Sequence, residues 1–274
     1  MFANYGFRSM SRAGVALSLA LVCGGFEEDG FEFYIPYVPT PQLIVERMLE
    51  MAEVGANDFV IDLGSGDGRI PITAARKYGA RALGVEIKPE LVRLADRLAT
   101  EAGVADKARF REQDLYKTPI ADASVVTLYL PPSVNLKLRP KLLQELRPGA
   151  RVVSQSYNMG GWLADERESV RGIDVYLWIV PARVAGEWEV DDGKLRFRLT
   201  LEQQFQEIAG SATFAGEIVA LRGAKLRGER IDFALVLDDR NVIEFSGMIV
   251  GDTMRSHEGA RAWTARRLSP AGKN

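Results

Sequence analysis

Residues 59–69 read Phe59-Val60-Ile61-Asp62-Leu63-Gly64-Ser65-Gly66-Asp67-Gly68-Arg69, and the fold follows from how this stretch changes character. Phe59 to Leu63 is an apolar run of strand character. Three glycines then fall at alternate positions, and a helical pattern begins at Ile70. Glycine turns a chain sharply at positive φ and leaves bare backbone where a ligand can lie and a Cβ would collide. The spacing is G-x-G-x-G, not the G-x-G-x-x-G of dinucleotide folds, and Asp67 stands inside the turn. A helix N-terminus that faces a pyrophosphate disfavours a carboxylate beside it, because like charges repel there. No G-K-[ST] is present to hold phosphates. The turn therefore argues against NAD and nucleoside triphosphates. A ligand with a cationic end, near Asp62 and Asp67, matches it better.

S-adenosyl-L-methionine, with a sulfonium and an ammonium, is such a ligand. The next acids fall where it needs them. A second strand, Ala82 to Ile87, carries Glu86 near its end. That acid lies about twenty residues beyond the glycines, the distance at which a strand-two carboxylate reaches a ribose diol. A third strand, Ala108 to Gln113, runs into Asp114-Leu115, placed to meet an adenine amine. Any one of these acids alone reads as a solvated strand end. Three strand ends in βαβ order, each closing on an acid, form a constellation.

Here the chain resembles a class I S-adenosyl-L-methionine-dependent methyltransferase. Pro36-Tyr37-Val38-Pro39-Thr40-Pro41, followed by Asp62-Leu63-Gly64-Ser65-Gly66-Asp67-Gly68-Arg69, is similar to the family of the ATP synthase c-subunit lysine methyltransferase, itself related to the non-SET histone lysine methyltransferases. The likeness runs from about Tyr34 to about Val184. It implies an α/β fold with a Rossmann-like seven-stranded sheet, and a cofactor across strands one to three. Asp62 would orient the methionine ammonium, Glu86 would take the ribose hydroxyls, and Asp114 with Leu115 would meet the adenine. Gly64, Ser65, Gly66, Asp67 and Gly68 would form the turn beneath the cofactor. The loop before the first helix would fold over its methionine end, with Tyr37 and Thr40 as the contacts. The resemblance favours a protein lysine as acceptor, with a small-molecule amine or hydroxyl as the alternative. From another class of function, a protein that binds the cofactor without turnover remains the competing reading.

Ligands in open α/β sheets bind outside the carboxyl ends of the strands. At the end of a buried fourth strand, Val125 to Leu130, the chain reads Leu130-Pro131-Pro132-Ser133-Val134-Asn135. Enzymes that methylate nucleobase amines place an amide and an aromatic ring around such a Pro-Pro pair, to accept the amine hydrogen and stack on the extruded base. Leu130 and Ser133 supply neither, which disfavours a nucleic-acid acceptor. Tyr129 and Asn135 are the candidate acceptor-pocket residues.

The chain has 274 residues, 47% of them hydrophobic, ample for one large or two modest packed domains. A net charge of −2 supplies no global basic field for nucleic acid. One cysteine, Cys23, and one histidine, His257, exclude internal disulfides and Cys/His metal clusters, so no metal is expected. Residues 1–35 read as a segment apart. Arg8 and Arg12 precede an apolar run, Ala13 to Cys23, and no acid appears before Glu27. This is the pattern of a signal peptide, or of a membrane tether shorter than the roughly 20 residues that a span requires. It places export or membrane association ahead of a cytoplasmic location.

Three domains are expected: 1–35, the methyltransferase domain at 36–184, and a β domain at 185–274. Within the second, Thr40 is read as the cap of a helix with Pro41 at its first position, ending near Gly55. Helices follow from Ile70 to Tyr78 and from Pro89 towards Gly103, and Pro140 is expected to interrupt another. Strand five is Ala150 to Ser156, followed by Tyr157-Asn158-Met159-Gly160-Gly161-Trp162, where relatives have an aromatic, proline-rich turn. Strand six is Val175 to Val180, and the seventh is Trp188 to Val190 or borrowed from beyond. From Gly186 short alternating stretches replace helical periodicity: Leu195–Leu201, Ser211–Leu221, Arg230–Leu237, Val242–Val250 and Ala260–Arg267, with Arg222-Gly223 among the turns. This pattern predicts a small antiparallel, barrel-like sheet with His257 in a loop.

Overall fold

The structure, a computed structural model, describes residues 37–238, 241–258 and 261–270. Residues 1–35 and their signal-like pattern lie outside the described residues. No helix among the described residues is long and apolar enough to cross a membrane.

Strands β1 (Phe59–Leu63), β2 (Arg81–Glu86), β3 (Ala108–Glu112), β4 (Val125–Leu128), β5 (Arg151–Gln155), β6 (Glu166–Val170) and β7 (Ile173–Ile179) form one sheet in the order β3-β2-β1-β4-β5-β7-β6. β3 to β5 are parallel through β1, and β7 and β6 are antiparallel. This is the Rossmann-like seven-stranded sheet. Four helices cover it: α1 (Gln42–Met51), α2 (Arg69–Tyr78), α3 (Pro89–Glu101) and α4 (Pro132–Glu145). The central strands are buried on both faces, which explains their continuous apolar runs. Along β1, Val60 packs with Val45, Met48 and Leu49 of α1, while Ile61 and Leu63 join Leu138 and Leu142 of α4 on the opposite face.

The eight strands that follow close into a barrel: β8 (Gly186–Asp191), β9 (Arg196–Gln204), β10 (Glu207–Phe214), β11 (Glu217–Arg227), β12 (Arg230–Asp238), β13 (Asn241–Val250), β14 (Thr253–Ser256) and β15 (Thr264–Pro270). Every neighbouring pair is antiparallel, and β8 pairs with both β9 and β15. An eight-stranded barrel has an interior just wide enough for side chains to fill. Phe197, Phe233, Phe245 and Trp263 fill it, with ring centroids 4.9–5.9 Å apart. The 180–185 connection is pinned to the barrel. Arg267 donates to the Ala185 and Arg183 carbonyls and lies over the Trp188 ring, and Gln203 bonds the Val184 amide and the Ala182 carbonyl.

Several local expectations are corrected. The seventh strand is β6, which precedes strand six, and Trp188–Val190 belongs to the barrel. Pro41 sits at the cap position of α1, and Thr40 is buried without capping it. Pro140 does not interrupt α4. Proline within a helix costs about 3 kcal/mol, whereas Val134, Leu138 and Leu142 are all buried from that helix. At about 1.5–3 kcal/mol each, those three side chains outweigh it. Ser211–Leu221 is two strands joined at Ala215-Gly216, and Arg222-Gly223 is a register shift inside β11, not a turn.

Candidate active site

The glycine turn is docked on β2: the Gly64 and Ser65 amides both donate to the Val85 carbonyl at 2.9 Å. Gly66 then donates to Glu86 Oε2 at 3.1 Å, while Oε1 of the same carboxylate accepts from the Ile87 and Lys88 amides at 2.9 and 3.1 Å. Three backbone amides therefore fix Glu86 beside the turn. Gly66 and Gly68 lie at φ +53° and +79°, where other residues are strained. A Cβ at Gly66 would stand 2.6 Å from the Tyr37 ring, and one at Gly68 would stand 2.5 Å from the Phe110 ring. Both positions require glycine.

Asp62, one residue before the end of β1, is buried, and Thr127 Oγ1 of β4 donates to its Oδ1 at 2.7 Å. Burial pushes its carboxyl up to about 7 against the pull of the Thr127 hydrogen bond, and the charges of Glu86 and Asp67 add to the rise. Asp67 differs. Burial would raise it too, but Arg69, paired at 2.6 Å, and the Tyr37 hydroxyl hold it below the usual carboxylate range. The expectation that Asp67 offers its charge to a cationic ligand is thus revised, because that charge is committed to Arg69. Arg69 also donates to the Thr40 carbonyl at 2.6 Å. Through this latch the 37–40 segment lies over the glycine turn, with Tyr37 against Gly66. Arg69→Ala is expected to release the segment and weaken cofactor affinity by about tenfold, the loss of one charge-assisted contact. Calorimetry with S-adenosyl-L-homocysteine measures it.

Asp114 lies two residues beyond β3. Its Oδ1 accepts the Tyr116 amide at 2.8 Å, which leaves Oδ2 beside exposed Lys117 at 3.8 Å. Leu115 packs against the sheet core.

At the carboxyl ends of β4 and β5, the rings of Tyr129 and Tyr157 lie nearly parallel, 14° apart in plane with centroids separated by 6.4 Å. Asn135 does not project into an open pocket. It is fully buried on α4, and its Nδ2 donates to Ser154 Oγ and to the Tyr157 carbonyl, both at 3.3 Å. Its Oδ1 has no donor among the described residues. Tyr157 and Thr127 escape a sequence reading because only the sheet brings them to Tyr129 and Asp62.

The donor set fits S-adenosyl-L-methionine. A buried carboxylate lies next to the turn, a second carboxylate is fixed by backbone amides, and Ser65 Oγ is buried with no partner among the described residues. The family model described as the ANTKMT methyltransferase domain matches residues 62–166. A protein-lysine N-methyltransferase of Saccharolobus islandicus (strain REY15A) is 42% identical over 154 residues, a match that covers 54% of this chain and 94% of that protein. The chain belongs to the ANTKMT methyltransferase family.

This methyltransferase is also 39% identical over 139 residues to the adenine nucleotide translocase lysine N-methyltransferase of Mus musculus, with half of this chain and 60% of that protein covered. A solved structure described as an RNA methyltransferase from Salinibacter ruber, in complex with S-adenosyl-L-homocysteine, is 53% identical and superposes with a TM-score of 0.53. It covers 54% of this chain and 96% of its own. The methyltransferase thus uses S-adenosyl-L-methionine, which supplies a methyl group activated on a sulfonium. Asp62, Glu86 and Asp114 are the groups that would hold its ammonium, ribose and adenine.

Proposed function

We propose that this methyltransferase transfers a methyl group to the ε-amine of a lysine in a protein acceptor. The observation that carries the reading is the Tyr129–Tyr157 pair at the carboxyl ends of β4 and β5, where an acceptor must approach the cofactor. Aromatic walls suit an extended alkylamine: they pack on the methylenes of the neutral amine, and they attract the ammonium that forms as the methyl is transferred by about 0.5–2 kcal/mol. Methyl transfer is an in-line displacement, so alignment supplies the catalysis, worth roughly 7–11 kcal/mol when reactants are well oriented. An amine that sheds its proton before it enters needs no base in the site. The Saccharolobus and mouse relatives, both described as lysine N-methyltransferases, support lysine.

Methyl-labelled S-adenosyl-L-methionine incubated with cell extract tests the reading. The expected product is protease-sensitive and yields methyl-lysine on hydrolysis. Label in an RNase-sensitive fraction would instead favour the activity in the Salinibacter description, and label only in small molecules would favour a free amine or hydroxyl. Cofactor binding with no labelled product would mark a sensor. Tyr129→Phe and Asn135→Ala with unchanged turnover would remove those residues from the site. Glu86→Ala is expected to weaken S-adenosyl-L-homocysteine binding about thirtyfold, the loss of a charge-assisted contact to a hydroxyl pair. An unchanged Kd would deny Glu86 the ribose.

The basic and apolar pattern of residues 1–35 supports a further part of the reading, that this segment engages a membrane or the export machinery. Sequencing the mature N-terminus from fractionated cells tests it: an intact Met1 in the cytosolic soluble fraction would refute it.

A further inference from the structure

We propose that the barrel takes part in acceptor binding through Phe205, a positioning residue that holds the turn carrying Tyr157. This rests on the reading that the acceptor enters beside Tyr129 and Tyr157. The turn at 157–163 is gripped from three directions. From α4, Asn135 bonds the Tyr157 carbonyl and Arg139 the Met159 carbonyl, the latter at 2.8 Å. From the sheet, Trp178 Nε1 donates to the Trp162 carbonyl at 2.8 Å. From the barrel, Gln206 Nε2 donates to the Leu163 carbonyl at 2.6 Å, and the Phe205 ring stacks on Trp162 at 6.3 Å and 21°. Trp162 is fully buried, with Trp178 at 5.9 Å, and the Arg139 guanidinium lies over Phe205 at 5.3 Å.

The backbone adds an independent observation. Gln204 pairs with Glu207, so Phe205 and Gln206 form a two-residue hairpin turn between β9 and β10. Phe205 stands there at φ +58°, a conformation that glycine adopts freely and a bulky aromatic adopts only under strain. Residues held in such conformations concentrate where function over-determines them. Gln203 holds this one in place by donating to the carbonyls of Phe205 at 2.7 Å and Ala182 at 2.8 Å. The hairpin thus keeps an aromatic where turn geometry asks for glycine, and that aromatic meets the acceptor turn. The Saccharolobus relative and the Salinibacter structure are each nearly fully covered while matching about half of this chain, a share too small to include both sheet and barrel. The barrel's hold is therefore an addition to the catalytic sheet.

The test uses the full chain with Phe205→Gly and Phe205→Trp. Glycine suits φ +58°, so the hairpin survives while the ring is lost. Phe205→Gly is expected to raise amide exchange at Gly160 to Leu163 at least tenfold, with the amides of Gly64 to Gly68 unchanged. Labelling of extract proteins at limiting acceptor should fall at least tenfold, while the Kd for S-adenosyl-L-homocysteine stays within twofold. Phe205→Trp should restore most of both. Unchanged exchange in the turn, unchanged labelling, or a parallel loss of S-adenosyl-L-homocysteine affinity would each overturn the proposal. A wild-type protein that binds S-adenosyl-L-homocysteine but labels nothing defeats the proposed function instead, and the exchange measurement still decides whether Phe205 holds the turn.

Discussion

Asp62→Asn is expected to weaken S-adenosyl-L-methionine binding by about a hundredfold and to flatten its pH dependence below neutrality. Removing one member of a buried, hydrogen-bonded charge pair costs about 2–5 kcal/mol, and a hundredfold sits inside that range. The pH dependence follows from burial, which places the ligand-free carboxyl near 7. An ammonium selects the ionised form, so binding below that value must release a proton. Affinity should fall about tenfold for each pH unit below 7. Above roughly pH 8 it should fall again, as the cofactor's own α-amine loses its proton. The same shift acts on stability with the opposite sign. The folded carboxyl titrates higher than the unfolded one, so its contribution is complete below about pH 4 and is lost as pH rises through 7, about 4 kcal/mol in all. Calorimetry in buffers of differing ionisation enthalpy reads the released proton directly. A wild-type Kd that is flat from pH 5.5 to 7.5 would exclude this role for Asp62.

The second large effect concerns the barrel. Phe245 is fully buried, stacked on Phe233 at 4.9 Å and edge-on to Phe197 and Trp263 at 5.5 and 5.6 Å. Phe245→Ala should cost about 3–5 kcal/mol, because the surrounding rings collapse only partly into the space left behind. For a protein of this size that corresponds to a fall in Tm of roughly 6–20 °C. A fall under 2 °C by differential scanning calorimetry would contradict a packed interior.

The sheet was legible wherever burial dictated residue type. β1, β2, β4 and β5 are apolar runs because both faces are covered, and the glycine turn announces itself through φ. β6 was missed because Glu166-Arg167-Glu168-Ser169-Val170 is an edge strand with little buried surface, so its composition reads as loop. Pro140 sits inside an unbroken α4 because the core beneath that helix outweighs local propensity, which is all that the sequence expresses there. In the barrel, alternation revealed the architecture but not the strand count, since Ala215-Gly216 lacks the usual hairpin signal and β14 has only four residues. The acids at three strand ends were readable from order and spacing. Arg69's commitment to Asp67 and Thr40 was not, because an arginine near a turn looks like any solvated cation. The contact of Phe205 with Trp162 joins residues 43 apart in sequence, which no local pattern encodes.

The seam of the barrel has a consequence for synthesis. β8 is the first of its strands to leave the ribosome, yet one of its edges is completed only by β15, through pairs such as Asp191 with Thr264. Until those residues emerge, the nascent chain carries a curled sheet with two open edges, each able to template pairing with another molecule. The loop to be closed is long, and closure entropy grows only slowly with length, so the delay costs time more than stability. The catalytic sheet is made earlier and already has every parallel strand. A nascent chain stalled between β14 and β15 would thus hold a complete nucleoside-binding half tethered to an adhesive one.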